Sequence, residues 1–323
     1  MAGSRAFAES TAPRKLVWGN LLHLGFNMWA DRPVDSWGGP MPETKDWVTA
    51  SDRLRFDRKL WNDLFVQMAA AKMNLVVIDL GEAVRYDSHP ELAVQGSWTP
   101  AQLREELARI RSLGIEPIPK LNFSSAHDAW LGEYSRMVST PKYYEVCKDL
   151  IAEVVRLFDD PRFFHLGYDE ETAAHQAKYS IAIVRQYELW WHDFEFFTGE
   201  VSRHGVRPWI WADYVWNHPE FAGRAAKNIV MSNWYYGTKF DEKDKMVKAY
   251  RDFETAGYDQ IPTASNWSAP ESFKLTVEHC RRVIDPARLL GFLQTPWMPT
   301  LEICRPHHEA AIKLVGEAIA NFQ

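Results

Sequence analysis

The chain has 323 residues, of which 46% are hydrophobic and 25% charged, with a net charge of −6. That balance excludes an intrinsically disordered chain and leaves no basic footprint for nucleic acid, since no basic run exceeds two residues, as at Arg281-Arg282. No run reaches the roughly 18 apolar residues that cross a bilayer, so no membrane partner is expected.

Taken in order, short apolar runs alternate with amphipathic helical stretches for eight rounds. Strands are predicted over Leu21–Asn27, Asn74–Leu80, Glu116–Asn122, Phe163–Asp169, Arg207–Asp213, Ile229–Trp234, Gln260–Asn266 and Leu289–Thr295. Leu75-Val76-Val77-Ile78 has the continuous apolar character of a strand covered on both faces. Between the strands, Leu60, Leu64, Phe65 and Met68 share one helical face. So do Leu103, Leu107 and Ile110, then Val146, Leu150, Val154 and Leu157, and finally Ile312, Val315 and Ile319. Thr99-Pro100-Ala101-Gln102 has the spacing of a capping box, and Ser268 to Glu271 repeats it. Gly114 and Gly257 stand just past helix ends, where a left-handed residue is needed.

Eight β–α rounds without a helix-only or strand-only block predict an α/β fold, a single-domain (β/α)8 TIM barrel over residues 16–323. Residues 1–15 read as an N-terminal extension. The competing fold, an open doubly wound sheet, lacks support because no GxGxxG or P-loop pattern follows any strand. Cys147, Cys280 and Cys304 have neither metal-ligand spacing nor the pattern of a disulfide framework. That fits a cytosolic chain. Met1 to Lys15 holds no apolar leader, so export would require one missing from this sequence. No cofactor motif and no HExxH spacing is present, so neither a cofactor nor a metal is expected. Oligomeric state is not readable.

A barrel carries its chemistry at the C-terminal ends of its strands. Those ends offer Asn27 and Trp29; Asp79 and Glu82; Asn122, His127 and Asp128; Asp169, Glu170 and Glu171; Trp211, Asp213 and Tyr214; Asn233, Trp234 and Tyr235; Asn266 and Trp267; and Trp297. Carboxylates, amides and indoles dominate, and Lys and Arg are nearly absent. Indole faces stack on sugar C–H faces while carboxylates and amides take the hydroxyls, so a carbohydrate partner is expected and a phosphorylated one is not. Fifteen Trp strengthen that reading. In Phe163-Phe164-His165-Leu166-Gly167-Tyr168-Asp169-Glu170-Glu171 an apolar strand ends in three acids. Adjacent carboxylates at a barrel mouth suit glycoside hydrolysis, in which one protonates the leaving oxygen and a second group acts at the anomeric carbon. For Glu171 an N-terminal helix acid is an equal reading. His165 reads as a core histidine and His127, in a loop, as a functional one. The loop holding Trp29, Trp37 and Trp47 reads as a lid, a sugar subsite or a merely ordered loop.

His165-Leu166-Gly167-Tyr168-Asp169-Glu170 resembles the His-x-Gly-Gly-Asp-Glu motif of glycoside hydrolase family 20, the β-N-acetylhexosaminidases. The resemblance extends to Glu116 through Asn122 with Ser124-Ser125-Ala126-His127, to Met73-Asn74 through Glu82, and to His89-Pro90-Glu91-Leu92 and Gly96-Ser97-Trp98-Thr99. Ile210-Trp211-Ala212-Asp213, Asn233-Trp234 and Pro296-Trp297 fall where that family has its strand-end tryptophans. The resemblance implies a retaining, substrate-assisted hydrolase that releases a terminal β-linked N-acetylhexosamine. In it Asp169 orients the 2-acetamido group, Glu170 is acid and then base, and a Glu82–His127 relay tunes that acid. Trp211, Trp234 and Trp297 wall the sugar subsite, with Asn122, Asp213, Trp267 and Tyr235 as further contacts. The chain departs from the family at Tyr168 (a glycine there), at Met28 (an arginine there), and at Asn266-Trp267, where a tyrosine is expected and Tyr235 is the candidate substitute. Two alternatives remain from the residues alone: a glycosidase using Asp169 or Asp213 as a direct nucleophile on a sugar without an acetamido group, and a non-catalytic carbohydrate-binding barrel.

Overall fold

A computed structural model describes residues 15–35 and 44–322. Residues 1–14, most of the expected extension, and Trp37 lie outside the described residues.

The strands are β1 (Val17–His23), β2 (Leu75–Asp79), β3 (Glu116–Lys120), β4 (Phe163–His165), β5 (Arg207–Trp211), β6 (Val230–Ser232), β7 (Thr263–Ala264) and β8 (Gly291–Gln294). All pair in parallel, in the order β6-β5-β4-β3-β2-β1-β8-β7. Parallel bridges Met231–Gln260 and Trp234–Thr263 join the two ends, so the sheet closes on itself as a (β/α)8 barrel. Closure removes the free edges of an open sheet, and the doubly wound alternative falls with it.

The helices between strands include α1 (Thr44–Val48), α2 (Arg58–Ala70), α3 (Pro100–Ser112), α4 (Pro141–Leu157), α5 (Tyr187–Arg203), α6 (Phe221–Arg224), α7 (Lys245–Ala256), α8 (Ser272–Val283) and α9 (Arg305–Asn321). α3, α5, α8 and α9 pack on β3, β5, β7 and β1. In α4, Val146, Leu150, Val154 and Leu157 are buried, a contribution of about 1.5–3 kcal/mol per fully buried aliphatic side chain. Thr99 and Gln102 form the expected reciprocal capping box on α3, and Gly257 ends α7 in the left-handed region. The capping box expected at Ser268 is absent. The Ser268 hydroxyl donates to the Tyr236 carbonyl instead, and α8 starts at Ser272 without a side-chain cap.

All eight strands depart from their predicted bounds by one or more residues, and for three of them the local reason is visible. β1 starts and ends four residues earlier than predicted, because the chain leaves the ladder after His23. Gly25 then runs so close to β2's exit that a Cβ would fall on the Leu80 carbonyl. Trp18 is therefore a strand residue, stacked on Phe292 with ring centroids 5.3 Å apart. β7 shrinks to two residues because Pro262, lacking an N–H, interrupts its ladder. β4 stops at His165 because the backbone turns left-handed at Gly167. The three cysteines are buried and form no disulfide among the described residues, and among those residues no helix is long and apolar enough to cross a membrane.

Candidate active site

The end of β4 sets the site. Gly167, Tyr168 and Glu170 all have positive φ (68°, 77° and 55°), a costly run for non-glycine residues that persists only where the surroundings over-determine it. Gly167 has no substitute here, since a Cβ would overlap the Asn122 amide. That amide does the bracing. Asn122 Oδ1 accepts from the backbone N–H groups of Ser124 (3.0 Å) and Tyr168 (3.2 Å), and its Nδ2 donates to Asp169 Oδ1 at 2.9 Å. Asn122 is fully buried. Expected as a substrate contact, it lies outside the lining of the cup described below, with its oxygen and one amide N–H holding the turn. His165, also buried, accepts from Gly167 N–H through Nδ1 at 3.0 Å, and its ring lies 4.2 Å from that of Trp211.

The turn delivers the two carboxylates to one wall. His127 Nε2 lies 3.5 Å from Asp169 Oδ2 and 3.3 Å from Glu170 Oε2. His175, on the loop that follows, brings Nε2 to 3.4 Å from Glu170 Oε1. Asp213 stands behind, accepting from the Glu170 N–H at 3.0 Å. Tyr168 fits without entering the site, because its ring is buried among Trp190, Phe194 and Phe197 of α5. Glu171 belongs to neither reading made of it. It is not a helix acid, and it is bound by Arg185 (Nε–Oε1 2.6 Å, Nη2–Oε2 2.8 Å), which also pairs with Asp193 at 3.1 Å.

Asp169, Glu170, Trp211, Trp234, Trp267 and Trp297 line one cavity of about 280 Å³, near the lower end of small-molecule sites. Trp29 completes the wall, with its ring 5.7 Å from that of Trp297 and 5.1 Å from that of His127. The subsite reading of its loop is thus the one the geometry favours at Trp29. Trp47 sits in α1, and its carbonyl accepts from Arg55.

Three further expected site residues stand elsewhere. Tyr235 donates to the Lys239 carbonyl at 3.0 Å and packs on Phe240, outside the cup. Its neighbour Tyr236 lines the cup and accepts from Trp297 Nε1 at 2.9 Å. Glu82 does not relay to His127: among the described residues they form no ion pair. Its carboxylate accepts from the N–H groups of Phe26 (2.8 Å) and Asn27 (3.2 Å), fastening the loop after β1. Asp213 lies behind the Glu170 backbone and is not part of the cup lining. His175, Lys178 and Tyr236 are lining residues that the sequence analysis did not single out.

Charge in the site is strongly biased. Burial raises the Asp169 carboxyl, partly offset by His127. Burial and the charge of Asp169 push Asp213 up to about 7. Burial acts on Glu170 in the same sense, but the imidazoles of His127 and His175 outweigh it and hold that carboxyl well below the usual range. His175 is raised in turn by Glu170. His127, Asp169 and Glu170 each offer one ligand atom within 4.8 Å of the others, the grouping among the described residues that could hold a cation. The contacts within it are equally those of an acid–base set.

Burial also raises Glu82, to about 7. The unfolded chain releases this proton near the ordinary value of 4.5 and the folded one near 7, so in that window the native state binds more protons. Stability is therefore expected to fall as pH rises from about 4.5 to 7. Urea unfolding at the two ends of the window should show a smaller decline for Glu82→Gln; an equal decline would remove Glu82 as its source.

No family model matches the chain, and no curated protein matches it in sequence. Solved structures do match in fold. The exo-β-N-acetylglucosaminidase of glycoside hydrolase family 20 from Vibrio harveyi, in complex with N-acetylglucosamine, aligns at a TM-score of 0.62 and 14% identity over 96% of this chain and 57% of that one. The barrel is built like those of family 20 enzymes. The β-N-acetylhexosaminidase from Bacteroides fragilis aligns at 0.61 and 13% identity, over 93% of this chain and 66% of that one. The family 20 enzyme from Streptomyces coelicolor aligns at 0.59 and 14%, over 93% and 64%. The chain thus spans under two thirds of the length of these three structures.

Proposed function

We propose that the protein is a retaining, substrate-assisted glycoside hydrolase that releases a terminal β-linked N-acetylhexosamine. One observation carries this reading. Asp169 and Glu170 contact the same imidazole nitrogen on one wall of the cup, and the other lining residues include no carboxylate. Direct displacement needs a carboxylate on the face of the sugar opposite the acid. With that face walled by indoles, the nucleophile is best supplied by the sugar's own 2-acetamido oxygen. Asp213, the other candidate for direct attack, is turned to the Glu170 backbone.

In this mechanism Asp169, with Oδ1 fixed by Asn122, accepts the acetamido N–H and steadies the positive charge that grows on the ring it forms. Glu170 protonates the leaving oxygen. The imidazoles of His127 and His175 favour the ionised form of Glu170, so to act as the acid it must take up a proton once a sugar lies against it. Glu170 then takes a proton from the water that opens the cyclic intermediate. Trp211, Trp234 and Trp297 stack on the ring and exclude water.

The structural neighbours support this reading by their names: the Vibrio harveyi barrel was solved with N-acetylglucosamine. The test is hydrolysis of aryl N-acetyl-β-glucosaminide and -galactosaminide beside the matching plain glucoside and galactoside. Cleavage confined to the acetamido pair, with the β-anomer released first, is expected. Cleavage of the plain glycosides would overturn the acetamido mechanism, and sugar binding without any turnover would make the barrel a binding protein.

A further inference from the structure

The loop after β3 and the turn after β4 bring three potential ligand atoms together: His127 Nε2 lies 3.5 Å from Asp169 Oδ2 and 3.3 Å from Glu170 Oε2. We infer that these three side chains form a binding site for a divalent ion of the zinc type, and that the ion, while bound, switches the cup off. The site rests on its own geometry. The switch rests on the hydrolase reading.

The spacing is the first argument. An imidazolium N–H paired with a carboxylate sits about 2.7–2.9 Å from it. Both contacts are longer, and neither ring nitrogen of His127 makes a hydrogen bond among the described residues, although the side chain is only 5% exposed. Two ligands of a four-coordinate zinc, on bonds of roughly 2.0–2.2 Å, stand about 3.3–3.6 Å apart. The observed separations fall in that range.

The second argument is orientation. Asn122 Nδ2 holds Asp169 Oδ1 at 2.9 Å, and His175 Nε2 stands 3.4 Å from Glu170 Oε1. Each carboxylate thus has one oxygen engaged and the other turned to His127. Partners of this kind fix the ligands of a metal without touching it. An imidazole suits zinc and its neighbours in the first transition row, whereas calcium and magnesium take oxygen ligands. Two carboxylates balance the charge of a dication. Asp169 and Glu170 both line the cup, so the ion shares its wall with the sugar. With their free oxygens on a metal, Asp169 cannot hold an acetamido group and Glu170 cannot carry a proton. The ligands leave different strands, which is why no short spacing in the sequence marks them.

The experiment titrates zinc sulfate, by calorimetry, into tag-free protein dialysed free of metal. One saturable ion per chain is expected. His127→Ala should weaken it by more than about 100-fold, since partners outside a ligand set already contribute roughly 10–100-fold. Glu170→Gln, which keeps the shape, should weaken it as well, and His204→Ala, at an exposed histidine, should not. Zinc should also raise KM for an aryl N-acetyl-β-glucosaminide with kcat unchanged, and a chelator should reverse this. Absence of a saturable site, or an affinity that both His127→Ala and Glu170→Gln leave unchanged, would overturn the site. Hydrolysis that zinc accelerates, or leaves untouched at saturation, would overturn the switch. Failure of the hydrolase reading looks different: no glycoside is cleaved with or without zinc, while the ion still binds and is still lost with His127.

Discussion

Glu170→Gln is expected to lower kcat on unactivated N-acetylhexosaminides by about 10²–10⁴-fold, the usual contribution of a positioned general acid. Gln keeps the shape and can still meet His127 and His175, now at 3.3 and 3.4 Å from the carboxylate oxygens. It cannot hand over a proton. The loss should therefore depend on the leaving group: large for a sugar alkoxide, smaller in kcat/KM for an aryl leaving group acidic enough to depart unaided. Rates on both substrates measure this. A uniform loss would mean that Glu170 acts by position or charge, and an unchanged rate would exclude it as the acid.

Asp169→Asn should cost about 10²–10³-fold in kcat, similar to removing one preorganised electrostatic partner of a transition state. The wild-type carboxylate is buried, fixed by Asn122 at 2.9 Å, and able to accept an acetamido N–H. The amide offers a neutral oxygen and adds an N–H that must find a partner among acceptors. The drop should fall on acetamido substrates, with KM changed less than kcat, because the carboxylate's main effect is on charge that appears only as the ring closes. A loss confined to KM would assign Asp169 to ground-state binding alone.

Most of the barrel was legible in sequence because its signals are local and repeated. Apolar strand runs, 3.6-residue stripes and the Thr99–Gln102 box all report what the backbone does within a few residues. The ends of strands were less so. Where β1 leaves the ladder depends on Gly25 passing the Leu80 carbonyl, a contact across 55 positions that no local pattern encodes. The acids at the end of β4 and the tryptophans of the cup were readable because barrel topology sends strand ends to one rim. Their braces were not. Asn122 looked like a hydroxyl ligand and is a clamp; Glu82 looked like a relay and is a loop fastener. Tyr235 and Tyr236 follow β6 in irregular chain, where period-2 alternation no longer says which ring faces inward. His175 and Lys178 lie in the segment between β4 and α5, which has no periodicity to mark them. The nearest sequence signal was their position, five and eight residues beyond Glu170.

The central claim is that one N-acetylated sugar sits among the indoles with its acetamido group against Asp169 and its anomeric carbon beneath Glu170. A crystal structure with a thiazoline mimic of the cyclised intermediate tests this directly. The bicyclic ring is expected inside the cup, its nitrogen within hydrogen-bonding distance of Asp169 and the anomeric carbon facing Glu170. A ring bound with its acetamido-derived atoms turned away from Asp169, or a cup left empty at saturating inhibitor, would contradict it.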